Sequence, residues 1–118
     1  MGKKKGMDRK ELLDKVYGDT DLLVEIIDTF LDMAPDSLDS IRRAIESNDA
    51  SKVCESAHFL QGSVGNFEQG LAFQAALELE TIGRSGDLSR AYEAFETLKI
   101  ELENLNYSLK IFSSELRP

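Results

Sequence analysis

The sequence predicts an all-α fold, an antiparallel up-and-down four-helix bundle with an additional short N-terminal helix or helices. Nearly every apolar residue recurs at steps of three or four, without the sustained alternation of a half-buried strand. The last third of the chain sharpens this into a heptad, with Leu88, Ala91, Phe95, Leu98, Leu102, Leu105, Leu109 and Phe112 spaced 3-4-3-4-3-4-3. The stretches between the periodic segments are short, which favours antiparallel neighbours within one chain over a long coiled coil.

Asp8 opens the first helix as an N-cap, Leu12, Leu13, Val16 and Tyr17 supply its apolar residues, and Gly18 provides a left-handed stop. This piece reads as a lid or brace. Asp19 or Thr20 caps the next segment, whose stripe Leu23, Ile27, Phe30 and Ala34 continues in phase through Leu38, Ile41 and Ile45. Pro35 interrupts it, either as a kink or as the first turn of a second, abutting helix.

A third segment, from about Asp49 to Asn66, carries Val53, Ala57, Leu60, Val64 and Phe67 at bundle-core spacing. The fourth turns Ala72, Ala75, Ala76, Leu79 and Ile82 inward, and its small residues admit a neighbouring backbone before it stops near Gly83 to Gly86. Asp87 caps the long final helix. Residues 1–6 read as a flexible start or a cloning remnant ahead of one bundle domain over 7–118.

The net charge of −8 argues against a nucleic-acid partner, which demands a basic face to displace counterions. Lys3 to Lys5 are followed by Asp8-Arg9-Lys10-Glu11 rather than the apolar stretch of an export signal. Apolar runs stop at three residues, as in Leu22-Leu23-Val24, far short of the roughly 20 that span a bilayer, so no membrane insertion is expected. Cys54 is the only cysteine, which rules out an internal disulfide and makes a cytoplasmic location the expectation.

His58 is the only histidine, and the helical phase of its segment fixes its direction. At about 100° per residue it lies roughly 140° from the centre of the Val53/Ala57/Leu60/Val64/Phe67 stripe, so the imidazole should face solvent. Ser51 and Cys54 precede it on the outer face, and Gly62 and Gly65 follow one and two turns later. Each glycine inside a helix costs roughly 1 kcal/mol relative to alanine. They either clear a floor for a partner approaching the histidine or end the helix and admit a packed neighbour.

The string His58-Phe59-Leu60-Gln61-Gly62-Ser63-Val64-Gly65-Asn66-Phe67 resembles the signature of histidine phosphotransfer (HPt) domains, in which histidine, a residue and a hydrophobe precede lysine, glycine and serine. The likeness extends to the Phe30 to Pro35 segment, Leu79 through Leu88 and the final helix. It implies that His58 is the phosphoacceptor through Nε2, with Gly62 and Gly65 as the clearance around it. It also implies a phosphorelay intermediate that takes a phosphoryl group from one receiver-domain aspartate and passes it to another.

By the same resemblance the partners are response-regulator receiver domains and a hybrid sensor histidine kinase. The chain would be a stoichiometric carrier without catalytic machinery or cofactor of its own, any Mg²⁺ belonging to the receiver. Gln61 stands where the family usually has lysine and offers only a neutral hydrogen bond. Arg84, at the end of the next helix, is the candidate cation near the acceptor.

Phe59 flanks the exposed face, and Phe73 and Leu77 form an i,i+4 off-core pair on the next helix, a docking surface to which Cys54 adds. Two rival chemistries fail on the residues. Cys54 and His58 supply only two of the four ligands a structural zinc requires. A Cys-His nucleophile lacks an evident group to orient the histidine and an oxyanion site. The alternative function is an HPt-like interaction module that binds receivers without carrying phosphate.

Overall fold

The apolar stripes fold into five α-helices in the computed structural model, which describes residues 6–118. They are α1 (Arg9–Lys15), α2 (Thr20–Glu46), α3 (Ala50–Val64), α4 (Leu71–Ser85) and α5 (Ala91–Leu116), and no strand occurs among the described residues. Residues 1–5 of the flexible start expected over 1–6 lie outside the described residues. Helices α2 to α5 form the bundle, each packed on the next and α5 closing back on α2.

The first three helix starts follow from local chemistry. The side chains of Asp8, Asp19 and Asp49 each accept from a backbone N–H three residues on, at 3.1, 3.0 and 3.0 Å, satisfying donors that the helix itself leaves orphaned. The last start departs from expectation. Asp87 caps a turn instead, accepting from the Ser89 N–H at 3.0 Å, and α5 begins only at Ala91 with Arg90 at its N-cap. Leu88 is accordingly half-buried ahead of the helix.

Pro35 neither splits α2 nor starts a new helix: α2 runs unbroken for 27 residues with the proline ring exposed. Beyond it the buried stripe passes through Ser37, Ile41 and Ala44, while Leu38 and Ile45 are half-buried. The Ser37 hydroxyl donates to Met33 Sδ at 3.2 Å, which lets a polar side chain occupy that stripe. Tyr17, expected on the apolar side of α1, is 97% exposed with φ 55°, because the chain is already turning left-handed into Gly18 at φ 77°.

Most of the predicted stripe residues form the core, while Leu38, Ile45, Ile82 and Leu88 pack half-buried against it. Ile27, Ile41, Val53, Leu60, Val64, Leu79, Leu98, Leu102 and Leu109 are fully buried, and Phe30 meets Phe67 edge-to-face at 5.0 Å. Helix α1 braces one end: Leu12 is buried, and Arg9 pairs with Glu115 while lying 4.9 Å over the Phe112 ring.

The contact that positions the site is between α3 and α4. A Cβ added at Gly83 would stand 2.5 Å from the Cys54 backbone nitrogen and 2.9 Å from the Ala50 carbonyl oxygen, so the two helix backbones all but touch there. One turn away from this crossing, Glu80 on α4 is brought level with His58 on α3.

Candidate functional site

The His58 side chain is 68% exposed, and its Nδ1 lies 3.1 Å from Glu80 Oε2. Glu80 is the opposite case, a carboxylate with a 6% exposed side chain on the buried stripe of α4. A carboxylate oxygen accepts, so in the neutral imidazole the Nδ1–H donates to Glu80 and the lone pair is left on Nε2. Arg84, one turn further along α4, donates through Nη2 to the same Oε2 at 2.5 Å. The second oxygen, Glu80 Oε1, is buried and has no hydrogen-bond partner among the described residues.

Glu80 is the site residue that sequence reasoning misses, and with it the group that orients the histidine. A signal was present: Glu80 falls in phase with Ala72 and Ala76, on the face of α4 that also carries the buried Leu79. A charged residue on a buried stripe requires a partner.

Arg84, Gln61 and Cys54 are placed differently from one another. Arg84 is drawn into the His58 cluster through Glu80, although its side chain stays 63% exposed. Gln61 is half-buried beside His58 on α3, and its side chain makes no hydrogen bond among the described residues. Cys54 lies in a separate hollow with Ser51, Glu55, Gly83 and Arg84.

The two glycines part company. An added Cβ at Gly62 would meet nothing within 4 Å, so the surface beside the imidazole is open there. At Gly65, the C-cap of α3, it would meet Phe73 Cε1 at 3.2 Å and the Gln61 carbonyl oxygen at 3.3 Å. Gly65 is therefore a close-packing position rather than clearance. For the same reason Phe73 is half-buried against the core, and Leu77 is half-buried as well, so this pair is no exposed docking patch.

Phe59 does stand out, at 60% exposed, and it joins residues the sequence reading had not singled out. With Leu22, Ile26 and Met33 of α2 it lines an apolar groove of about 400 Å³ along the α2–α3 seam, beside the histidine. The missed signal is the spacing of Leu22, Ile26 and Met33, a second stripe flanking the core stripe of α2. Among the described residues no group of three or more histidine, cysteine or acidic side chains could hold a metal ion, and no helix is long and apolar enough to cross a membrane.

Comparison with known proteins adds independent findings. The family model for the Hpt domain matches residues 25–107. In structure the chain is similar to histidine-containing phosphotransfer protein B (HptB) from Pseudomonas aeruginosa PAO1, with a TM-score of 0.86 at 25% identity over 94% of this chain and 96% of that one. It also resembles the HPT domain of a sensor hybrid histidine kinase from Shewanella, with a TM-score of 0.78 at 19% identity over 95% and 97% of the two chains, a likeness of fold. No curated protein matches in sequence.

Proposed function

This chain belongs to the Hpt-domain family, and on that premise we propose that His58 is the residue on which it carries the phosphoryl group as a phosphorelay intermediate. The observation that supports this most directly is the pairing of an exposed imidazole with a buried carboxylate 3.1 Å from its Nδ1. The Nδ1–H bond to Glu80 selects the tautomer whose Nε2 is the nucleophile, and it fixes the ring plane toward an incoming partner.

The step then needs no proton transfer. The Nε2 lone pair attacks the phosphorus of a receiver aspartyl phosphate, the P–O bond breaks and the aspartate leaves as a carboxylate, while the new N–P bond forms. In the return step a second receiver aspartate attacks the same phosphorus. The proton kept on Nδ1 by Glu80 lets the ring depart as neutral imidazole. A loose transition state of this kind is governed by alignment and charge, both of which a receiver with its own Mg²⁺ supplies, so the chain acts as a stoichiometric carrier rather than an enzyme.

Arg84 takes the part of the cation beside the acceptor in place of a lysine at Gln61, since among the described residues its side chain bonds only Glu80 and keeps further N–H donors to offer. The groove formed by Leu22, Ile26, Met33 and Phe59 is the docking surface for the receiver, with Gly62 leaving open space between groove and imidazole. The partners are thus receiver domains, including that of a hybrid kinase, in a cytoplasmic setting.

The test is to mix the protein with phosphorylated receiver domains and assay for acid-labile, alkali-stable phosphate. Label on the wild type and none on His58→Gln is the expected result. Label that survives His58→Gln, or no label across a full panel of receivers, overturns the assignment.

A further inference from the structure

We propose that the α2–α3 groove selects its receiver by charge, and that it accepts receivers whose apolar docking face is bordered by lysine or arginine. This rests on the docking role given to the groove above and adds the chemistry of the partner. The groove itself is apolar, with Glu25 the only charged lining residue among the described residues. Glu25 is one of a row: Asp21, Glu25, Asp32 and Asp36 are spaced 4, 7 and 4 along α2, which puts them on one stripe beside Leu22, Ile26 and Met33.

All four are exposed, and none takes part in an ion pair among the described residues. The other acids of this helix differ: Asp28 is held by Ser113 and Arg117, and Asp39 by Arg42 and Arg43. From Thr20 to Ile41 the helix has no lysine, arginine or histidine to offset the row.

The opposite wall, with Phe59, Ser63 and Asn66, carries no charge, and the only lysine of α3, Lys52, is already paired with Glu55. A receiver seated with its reactive aspartate over His58 therefore lays one edge against four uncompensated carboxylates. An acidic edge is repelled, a neutral one leaves them unanswered, and a basic one pairs with them. Such rim charges act chiefly on encounter rate and on the rejection of wrong partners.

The experiment uses the full chain with Glu25 and Asp32 reversed together (E25K/D32K), both exposed positions outside the core. Transfer is measured from a panel of purified receiver domains charged with acetyl phosphate, at low and high ionic strength. In parallel, His58 is labelled with phosphoramidate, a donor too small to use the groove.

For the wild type, receivers with basic borders should be served fastest, and their kcat/KM should fall as salt rises. In the reversed variant kcat/KM with those receivers should drop by about tenfold while phosphoramidate labelling stays unchanged. An unchanged kcat/KM in the variant, or equal service of acid-bordered and basic-bordered receivers, overturns the proposal. Failure of phosphoramidate and of every receiver to label His58 in the wild type instead removes the carrier reading, and the selection proposal with it.

Discussion

Glu80 is the most informative residue in the molecule because its burial works against it. A carboxylate with one oxygen unpartnered and desolvated costs on the order of 1–3 kcal/mol. An alanine on this stripe, as at Ala72 and Ala76, would avoid that cost. The residue makes sense through the two donors on its other oxygen, His58 Nδ1 and Arg84 Nη2. Glu80→Gln keeps the shape but can present either an oxygen or an N–H₂ to the imidazole, so the tautomer is no longer enforced. Phosphoramidate labelling of His58 should slow by about 10- to 100-fold, the scale on which groups that orient a histidine act. Nitrogen-15 NMR of the imidazole should show the Nδ1–H tautomer lose its dominance. An unchanged tautomer population with a normal labelling rate would remove Glu80 from the site. Arg84→Ala should leave the tautomer intact and lower the yield of phospho-His58, which separates charge from orientation.

At the scale of the helices, the site depends on how closely α3 and α4 approach. Gly83→Ala places a methyl 2.5 Å from the Cys54 nitrogen, a backbone atom that cannot swing aside, so the helices must separate. A cost of about 1–3 kcal/mol is expected for such overpacking, with the His58–Glu80 hydrogen bond lost in the same movement. Gly62→Ala, which meets open space, should instead stabilise α3 by up to about 1 kcal/mol. Thermal unfolding of the two variants checks both signs. This contrast explains what could be read from the sequence. The direction of His58 followed from the phase of a single helix, as did the stripes Leu23–Ile27–Phe30–Ala34 and Ala91 to Phe112, because helix periodicity is local. Glu80 beneath His58, and the different duties of Gly62 and Gly65, depend on where a second helix crosses, which no local period encodes. The start of α5 differs from expectation for a related reason: Asp87 is a sound cap by type, and here it caps a turn.

Acid should act on the same scale. The hydrogen bond from Arg42, with the charge of Arg43 beside it, holds the Asp39 carboxyl below its usual range. A carboxyl whose folded value is depressed adds stability above its unfolded value and loses it as pH falls through the folded one. The stability difference between the wild type and Asp39→Asn should therefore be present at neutral pH and close below about pH 4. A difference that persists into stronger acid would show that the pair contributes through packing instead.

For the molecule as a whole, the acceptor site and the N-terminal brace do different work. The His58–Glu80–Arg84 cluster belongs to the α3–α4 contact, whereas α1 touches the start of α2 and the end of α5 through Leu12, Arg9, Phe112 and Glu115. Burying Leu12 is worth roughly 1.5–3 kcal/mol, and a cation–π contact at an exposed site adds about 0.5–1 kcal/mol. The exposed Arg9–Glu115 pair contributes at most about 1 kcal/mol. Ordering the helix offsets part of this total. Removing residues 1–18 should then lower stability by about 1–3 kcal/mol, and Leu12→Ala alone should give much of that loss. Neither change touches a residue that holds the imidazole, so phosphoramidate labelling of His58 should remain within about twofold of the wild type while the chain is folded. A tenfold loss of labelling in a truncated protein whose thermal transition remained cooperative would mean that the brace and the acceptor are coupled through α2. The groove offers a route for that coupling, since Ile26, Asn66 and Phe67 line both it and the hollow to which Leu12 and Val16 contribute.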